Sequence, residues 1–311
     1  MRPLRIAIIG YGKIAADQHA PAIAANPRFE LAATVSRSGP ARDDVPAFTS
    51  TEALLASGLK LDAVAITTPP DARHAIAWPC IAAGLHVMLE KPPAVTLGEA
   101  QDMVRAAEQA GVTLFATWHA QANPAVTALQ ARLIGKMLAR LRVTWRESVR
   151  KWHPDQEWIW EPGGFGVFDP GINALSILTK VVPGPLFVKS ASLEFPQGRQ
   201  TPIAARLGLA GPALAGEATA DFDWREDGNE RWEIEAETEE GEQYLLTGGG
   251  AALSCNGAPV AAEGPEGEYP LLYQRFLDLI DCRQSEADLS PLRLVADAYL
   301  LARRKDVAAF P

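Results

Sequence analysis

Residues Leu4–Ile9 form a near-continuous apolar run of strand length, and Gly10-Tyr11-Gly12-Lys13-Ile14-Ala15 follows at once. No other stretch constrains the fold as strongly. An apolar run without alternation reads as a parallel strand buried on both faces. Gly10 permits a tight turn at the strand's end, and Gly12 lets a phosphate approach the main chain. Ala15 allows close packing of helix on strand. The first main-chain N–H groups of the helix, around Lys13 and Ile14, then point outward as anion donors. A plain glycine-rich turn is the bland alternative. The strand–turn–helix context favours a dinucleotide phosphate turn, with Gly10, Gly12, Lys13 and Ile14 as cofactor-binding candidates.

The alternation continues for about 120 residues. Helix patterns at 13–25, 72–83 and 97–110 alternate with apolar runs at 31–35, 63–66, 86–89 and 112–117. Thr96 and Glu99 have the spacing of a capping box. This βαβ rhythm predicts a doubly wound parallel sheet, an α/β Rossmann domain over 1–120. Beyond it the pattern becomes alternating strands, at 138–149, 186–195, 203–209, 218–224, 232–238 and 243–247. Helices are expected at 124–134, 166–182, 271–282 and 291–304. Alternation implies one buried and one wetter face. A second α+β domain over 121–311, with an open, largely antiparallel sheet, is therefore expected for substrate binding and oligomerisation.

Composition excludes several functions. The chain has 311 residues, 22% of them charged, and a net charge of −9, which gives nucleic-acid binding no electrostatic support. Cys80, Cys255 and Cys282 are three in number and widely spaced, so neither a disulfide framework nor a metal site is expected. The amino terminus runs straight into the first strand, and no apolar run approaches the ~20 residues of a membrane span. A cytoplasmic location without membrane association is the expectation.

Two strand ends bear on the cofactor. The second strand ends in Val35-Ser36-Arg37, where an NAD site carries an acid for the ribose hydroxyl and an NADP site an arginine for the 2′-phosphate. The first acid after this strand is Asp43. Ser36 and Arg37 thus favour NADP, with NAD possible. Thr67 and Thr68 end the 63–66 strand and are placed near the nicotinamide ribose; His74, just beyond, reads as structural. Glu90-Lys91-Pro92-Pro93 then ends the 86–89 strand. Proline cannot continue a central strand, so the chain leaves the sheet there, at the carboxyl end where open α/β sheets bind ligands. That exit makes Lys91 a catalytic candidate and Glu90 a cofactor-side one; a solvated loop pair is the alternative.

Residues 145–173 carry a second constellation. Trp145, Trp152, Trp158 and Trp160 are half of the eight tryptophans. Indole faces suit sugar C–H faces, yet at least two of the four are expected in the core. Alternation puts Glu147 on an apolar face, where a structural partner or a sugar hydroxyl would satisfy it. Asp169 and Asn173, four apart, share a helix face. Asp169 before Pro170 also reads as an N-cap with proline at N1.

The glycine turn with Glu90-Lys91-Pro92 resembles the glucose-fructose oxidoreductase / inositol dehydrogenase / MocA family. Trp152-His153-Pro154, Trp158-Ile159-Trp160-Glu161-Pro162-Gly163-Gly164 and Val167 to Ser176 look like its bacterial L-arabinose / D-galactose 1-dehydrogenases, as do Thr117-Trp118-His119 and Pro291 to Ala298. The likeness spans essentially the whole chain. The family's substrate helix normally carries Asp-x-x-x-His; here the last position is Asn173, as in that subgroup. The resemblance implies oxidation of a pyranose at C1 to a lactone, with hydride passing to NAD(P)+. It implies Lys91 at the C1 oxygen, Asp169 as base or as the partner of Lys91, and Asn173 on the C1 or C2 oxygen. His119, Glu147, Trp152 and His153 would read the other hydroxyls. Another sugar or inositol dehydrogenase, or a non-catalytic NAD(P)-binding regulator, are the alternatives. A homo-oligomer is expected by analogy alone.

Overall fold

A computed structural model describes residues 2–37, 42, 44–262, 264 and 267–310. The chain divides into two compact units. Unit 1 is Met1–His119 with Pro265–Asp288, and unit 2 is Ala120–Gly264 with Leu289–Pro311. The expectation had placed everything after residue 120 in the second domain. The return of Pro265–Asp288 to unit 1 corrects it.

Unit 1 holds six parallel strands: β1 (Leu4–Ile9), β2 (Phe29–Val35), β3 (Ala47–Phe48), β4 (Ala63–Ile66), β5 (His86–Leu89) and β6 (Leu114–Ala116). Their order is β3-β2-β1-β4-β5-β6, the doubly wound order whose ligands bind at strand carboxyl ends. Ile6, Ala7, Ile8 and the whole of β4 are fully buried, which is why these strands read as unbroken apolar runs. The connecting helices are α1 (Ala20–Ala25), α2 (Thr51–Ala56), α3 (Pro70–Ala82) and α4 (Leu97–Ala110). Thr96 and Glu99 cap α4 reciprocally, as their spacing required. A π-helical turn, Ala15–His19, precedes α1.

Unit 2 contains α5 (Pro124–Leu133), α6 (Val149–Trp152) and α7 (Phe168–Val181). It also contains a nine-stranded open sheet: β7 (Leu138–Arg146), β8 (Phe187–Pro196), β9 (Ala204–Ala210), β10 (Leu214–Asp223), β11 (Arg231–Thr238), β12 (Gln243–Thr247), β13 (Ala252–Cys255), β14 (Ala258–Val260) and β15 (Ala302–Val307). The order is β14-β13-β12-β11-β7-β10-β9-β8-β15; β10 with β7 and β15 with β8 are parallel, the other pairs antiparallel. Leu141, Val143 and Trp145 point to the buried face. Arg140 stands on the other, opposite Glu237, with which it pairs at 2.8 Å. Two helices complete the chain, α8 (Glu268–Cys282) in unit 1 and α9 (Ser290–Leu301) in unit 2. The helix expected at 291–304 stops at Leu301, because Ala302–Val307 pairs along β8 as an edge strand. The charged residues of Ala-Arg-Arg-Lys-Asp suit an exposed edge as well as a helix.

Candidate active site

At the end of β1, Gly10 has φ +93°, and a Cβ there would lie 2.6 Å from the Thr68 methyl. No other residue fits between the β1 and β4 exits. Thr67 Oγ1 donates to Gly10 O at 2.7 Å and ties the turn to β4. Over Gly12 the space is open, with only Gly10 O at 3.8 Å from a built Cβ. Ala15 is fully buried. These three positions fit a pyrophosphate lying against the turn. Thr68 Oγ1 is buried without a hydrogen-bond partner, an open polar group at the same strand exits. Lys13, an exposed side chain, pairs with Asp17, and Ile14 is also exposed. After β2, Ser36 N donates to Phe48 O and Arg37 is exposed. Asp43 lies outside the described residues. Arg42 pairs with Asp44 and bonds Tyr11 of the turn.

The Glu-Lys-Pro turn is held from several sides. Glu90 is buried; its Oε1 accepts from Tyr269 Oη at 2.7 Å and faces His19 Nε2 at 3.0 Å. Its Oε2 accepts the N–H of Lys91 at 3.0 Å. Burial would raise this carboxyl, but the His19 and Tyr269 contacts and the charges of His19 and His119 outweigh it and hold Glu90 well below the usual range. His119 Nδ1 lies 2.6 Å from Glu268 Oε2. Burial pushes that imidazole down, yet Glu268 and Glu90 push harder and raise it, against the nearby charge of Lys91. Lys91 is half-buried, and its peptide bond to Pro92 is cis. Arg73, buried on α3, donates to the carbonyls of Thr68, Glu90 and Pro92. His74 bonds Asp102 on α4, in keeping with a structural role.

In unit 2, Asp169 is buried in the first turn of α7, with Asn173 one turn on. The helix begins at Phe168, two residues before the start that an N-cap at Asp169 requires, with Val167 as N-cap and no side-chain cap bond. The N-cap reading of Asp169 is therefore corrected. His153 Nε2 lies 3.5 Å from Asp169 Oδ2, and its ring packs on Trp224 at 5.1 Å. Asn173 Oδ1 is buried without a hydrogen-bond partner. Glu147, buried just past β7, accepts from the indole N–H groups of Trp224 at 3.3 Å and Trp232 at 2.7 Å. Trp152 is half exposed; its indole donates to Glu230 at 2.5 Å and meets Trp232 edge-on at 5.9 Å. Trp145 and Trp160 are core residues.

Unit 1 thus gathers Gly10, Gly12, Thr67, Thr68, Glu90, Lys91 and His119, and unit 2 gathers Glu147, Trp152, His153, Asp169 and Asn173. Among the described residues, His19, Arg73, Glu268, Tyr269, Trp224, Glu230 and Trp232 escaped the sequence reading. A signal existed for two. Ala15, His19, Ala22 and Ile23 are the buried face of one helical run, and Pro70, Arg73, Ala77 and Cys80 that of α3. A polar residue in such a stripe needs partners.

Residues 4–117 match the model of an oxidoreductase family with an NAD-binding Rossmann fold. Galactose 1-dehydrogenase of Pseudomonas fluorescens is 43% identical over 311 residues, covering 100% of this chain and 99% of that protein. The crystal structure of a D-galactose-1-dehydrogenase protein from Rhizobium etli superposes with a TM-score of 0.94 at 47% identity, over 100% and 99% of the two chains. A 3-ketoreductase from Actinomadura kijaniata, solved with TDP-benzene and NADP, shares the fold at TM-score 0.80 and 17% identity, over 99% and 100%. No helix among the described residues is long and apolar enough to cross a membrane. The chain belongs to the glucose-fructose oxidoreductase / inositol dehydrogenase / MocA family and is an NAD(P)-dependent oxidoreductase acting on CH–OH groups.

Proposed function

We propose that the chain is a sugar 1-dehydrogenase that oxidises D-galactopyranose, and L-arabinopyranose with it, at C1 to the aldonolactone. The observation that carries this reading is the pair on α7. Asn173 Oδ1 is a buried acceptor without a partner, one turn from the buried carboxyl of Asp169. A buried acceptor left open costs about 1–3 kcal/mol, and a substrate hydroxyl would recover it. Full-length similarity to galactose 1-dehydrogenases supports the choice of sugar.

Bound NAD(P)+ would lie on Gly10, Gly12, Lys13 and Ile14, near Thr67, Thr68 and Glu90, and supplies the acceptor for the hydride from C1. The residues of the chain handle the proton and the oxygens. Asp169 takes the C1 hydroxyl proton, with His153 beside it to share the charge. Lys91 polarises the C1 oxygen as it becomes a carbonyl. Asn173 accepts from the C1 or C2 hydroxyl. His119, Glu147, Trp152 and His153 are assigned to the remaining hydroxyls, with Glu147 acting while its two indole donors hold it in place. NADP is the preferred cofactor, because Ser36 and Arg37 stand where an NAD site carries an acid. A cytoplasmic homo-oligomer completes the reading; light scattering on the purified protein checks the oligomer.

The test is a sugar panel with NADP+ and NAD+, followed at the NADPH absorbance band. D-Galactose and L-arabinose share the C1 to C4 hydroxyls and should both react. D-Glucose is inverted at C4 and leaves a polar group of the site unpaired, a loss of up to ~10⁴ in kcat/KM. Equal rates with glucose and galactose contradict the substrate assignment, and binding of NADPH without turnover of any sugar favours a regulator. Arg37→Ala should raise KM for NADP+ by about 10-fold or more and leave that for NAD+ nearly unchanged, since only the former loses a charge-assisted contact.

A further inference from the structure

We propose that Arg73 is a positioning residue for Lys91: its guanidinium grips the main chain on both sides of the lysine and joins it to the neighbouring strand exit. The inference rests on the role given above to Lys91. Arg73 is buried at 4% relative exposure, one turn from the start of α3, where the helix dipole opposes a cation. A buried arginine needs its donors satisfied. Nε donates to Thr68 O at 2.9 Å, and Nη1 donates to Glu90 O at 2.5 Å and to Pro92 O. Glu90 and Pro92 are the residues immediately before and after Lys91.

Lys91 N is meanwhile bonded by the carboxylate of Glu90. The lysine's backbone is therefore fixed at its own N–H and at the carbonyls on either side. A guanidinium presents its donors in a rigid planar fork, and an ammonium does not. The same fork reaches Thr68, at the exit of β4, so the two strand exits cannot shift independently. The origin from which the Lys91 side chain extends is set by Arg73, and the side chain's reach toward a reacting oxygen is set with it.

Arg73→Lys keeps the charge and loses the fork. It should lower kcat by about 10- to 100-fold, the scale of a 1 Å misplacement. NADPH affinity should stay within about 3-fold, and amide exchange over residues 86–91 should speed up in the cofactor-free protein. In a Lys91→Met background the same change should cost little more, because residues acting as a unit are non-additive. Parental kcat in Arg73→Lys overturns the proposal. So does an undiminished loss in the Lys91→Met background, or a loss explained wholly by weaker NADPH binding. If Arg73→Lys does not fold, Arg73→Gln, which keeps a planar donor, takes the same measurements. Full activity in Lys91→Met defeats the lysine assignment instead, while the exchange rates still tell whether Arg73 holds the turn.

Discussion

Glu90 and Glu147 occupy matching places in their two sheets. Each is the first residue past a strand, β5 or β7, and each is buried. Each carboxylate is held by side-chain donors from elsewhere in its unit. The donors differ in kind. Glu90 meets an imidazole and a phenol, with a second imidazole, His119, close enough to act on its charge. Glu147 meets two indoles. An indole N–H only donates and does not titrate, whereas an imidazole changes charge near neutral pH. Burial past a strand end therefore does not make a carboxylate part of proton chemistry; its partners decide. In unit 2 the carboxylate that stands beside an imidazole is Asp169, 3.5 Å from His153, whereas Glu147 accepts from indoles.

The largest effect expected from this contrast is at Asp169. Asp169→Asn should lower kcat by roughly 10²–10⁴ with NADPH binding intact. Because Val167 and not Asp169 caps α7, no cap is lost and the fold should persist. Lys91→Met should lose a similar amount, with the double variant little worse than either. Near-parental kcat in Asp169→Asn would break the contrast, leaving unit 2 without a base.

A smaller effect is expected at Glu147. Glu147→Leu leaves two indole donors unpaired, about 1–3 kcal/mol of stability for each that stays dry, readable by urea unfolding. Glu147→Gln should recover part of it. Equal losses in Glu147→Leu and Glu147→Gln would show that the indole N–H groups do not hold the carboxylate.

The smallest effect concerns Glu268→Gln. Glu268 raises His119 above the ordinary histidine value of 6.5 despite its burial. A raised folded-state value stabilises fully below the unfolded value, and the contribution fades as pH climbs through the folded one. The stability gap between parent and Glu268→Gln should therefore widen toward about pH 6 and narrow toward about pH 9. A gap that is flat, or that widens toward base, removes His119 from the titrating cluster.

The doubly wound sheet was legible because its determinants are local. Apolar runs, a glycine turn and a capping box each declare themselves within a few residues. Asp169 and Asn173 were legible by helical spacing, and Asn173 does present an open acceptor. What could not be read was pairing across the chain. Alternation put Glu147 on a buried face but could not name Trp224 or Trp232 as its donors. The N-cap at Asp169 failed because Asp-Pro fits a cap at Asp169 and a helix already begun at Phe168 equally well. The end of α9 failed because β8 offers a partner to a segment whose composition favours helix. The second domain's boundary failed because α8 is an ordinary amphipathic helix, and nothing local says which core it covers.

That last feature bears on how the chain is made. Glu90 waits for Tyr269, 179 residues later, and His19 for Tyr273, 254 residues later. As synthesis proceeds, the cofactor half has all six strands by residue 116, yet it carries a buried carboxylate and a buried imidazole whose tyrosine partners have not been translated. All of unit 2's sheet except β15 emerges in between. The first unit to be started is thus incomplete until Asp288 has been made, and its turn at Lys91 takes final form only once Tyr269 has left the ribosome.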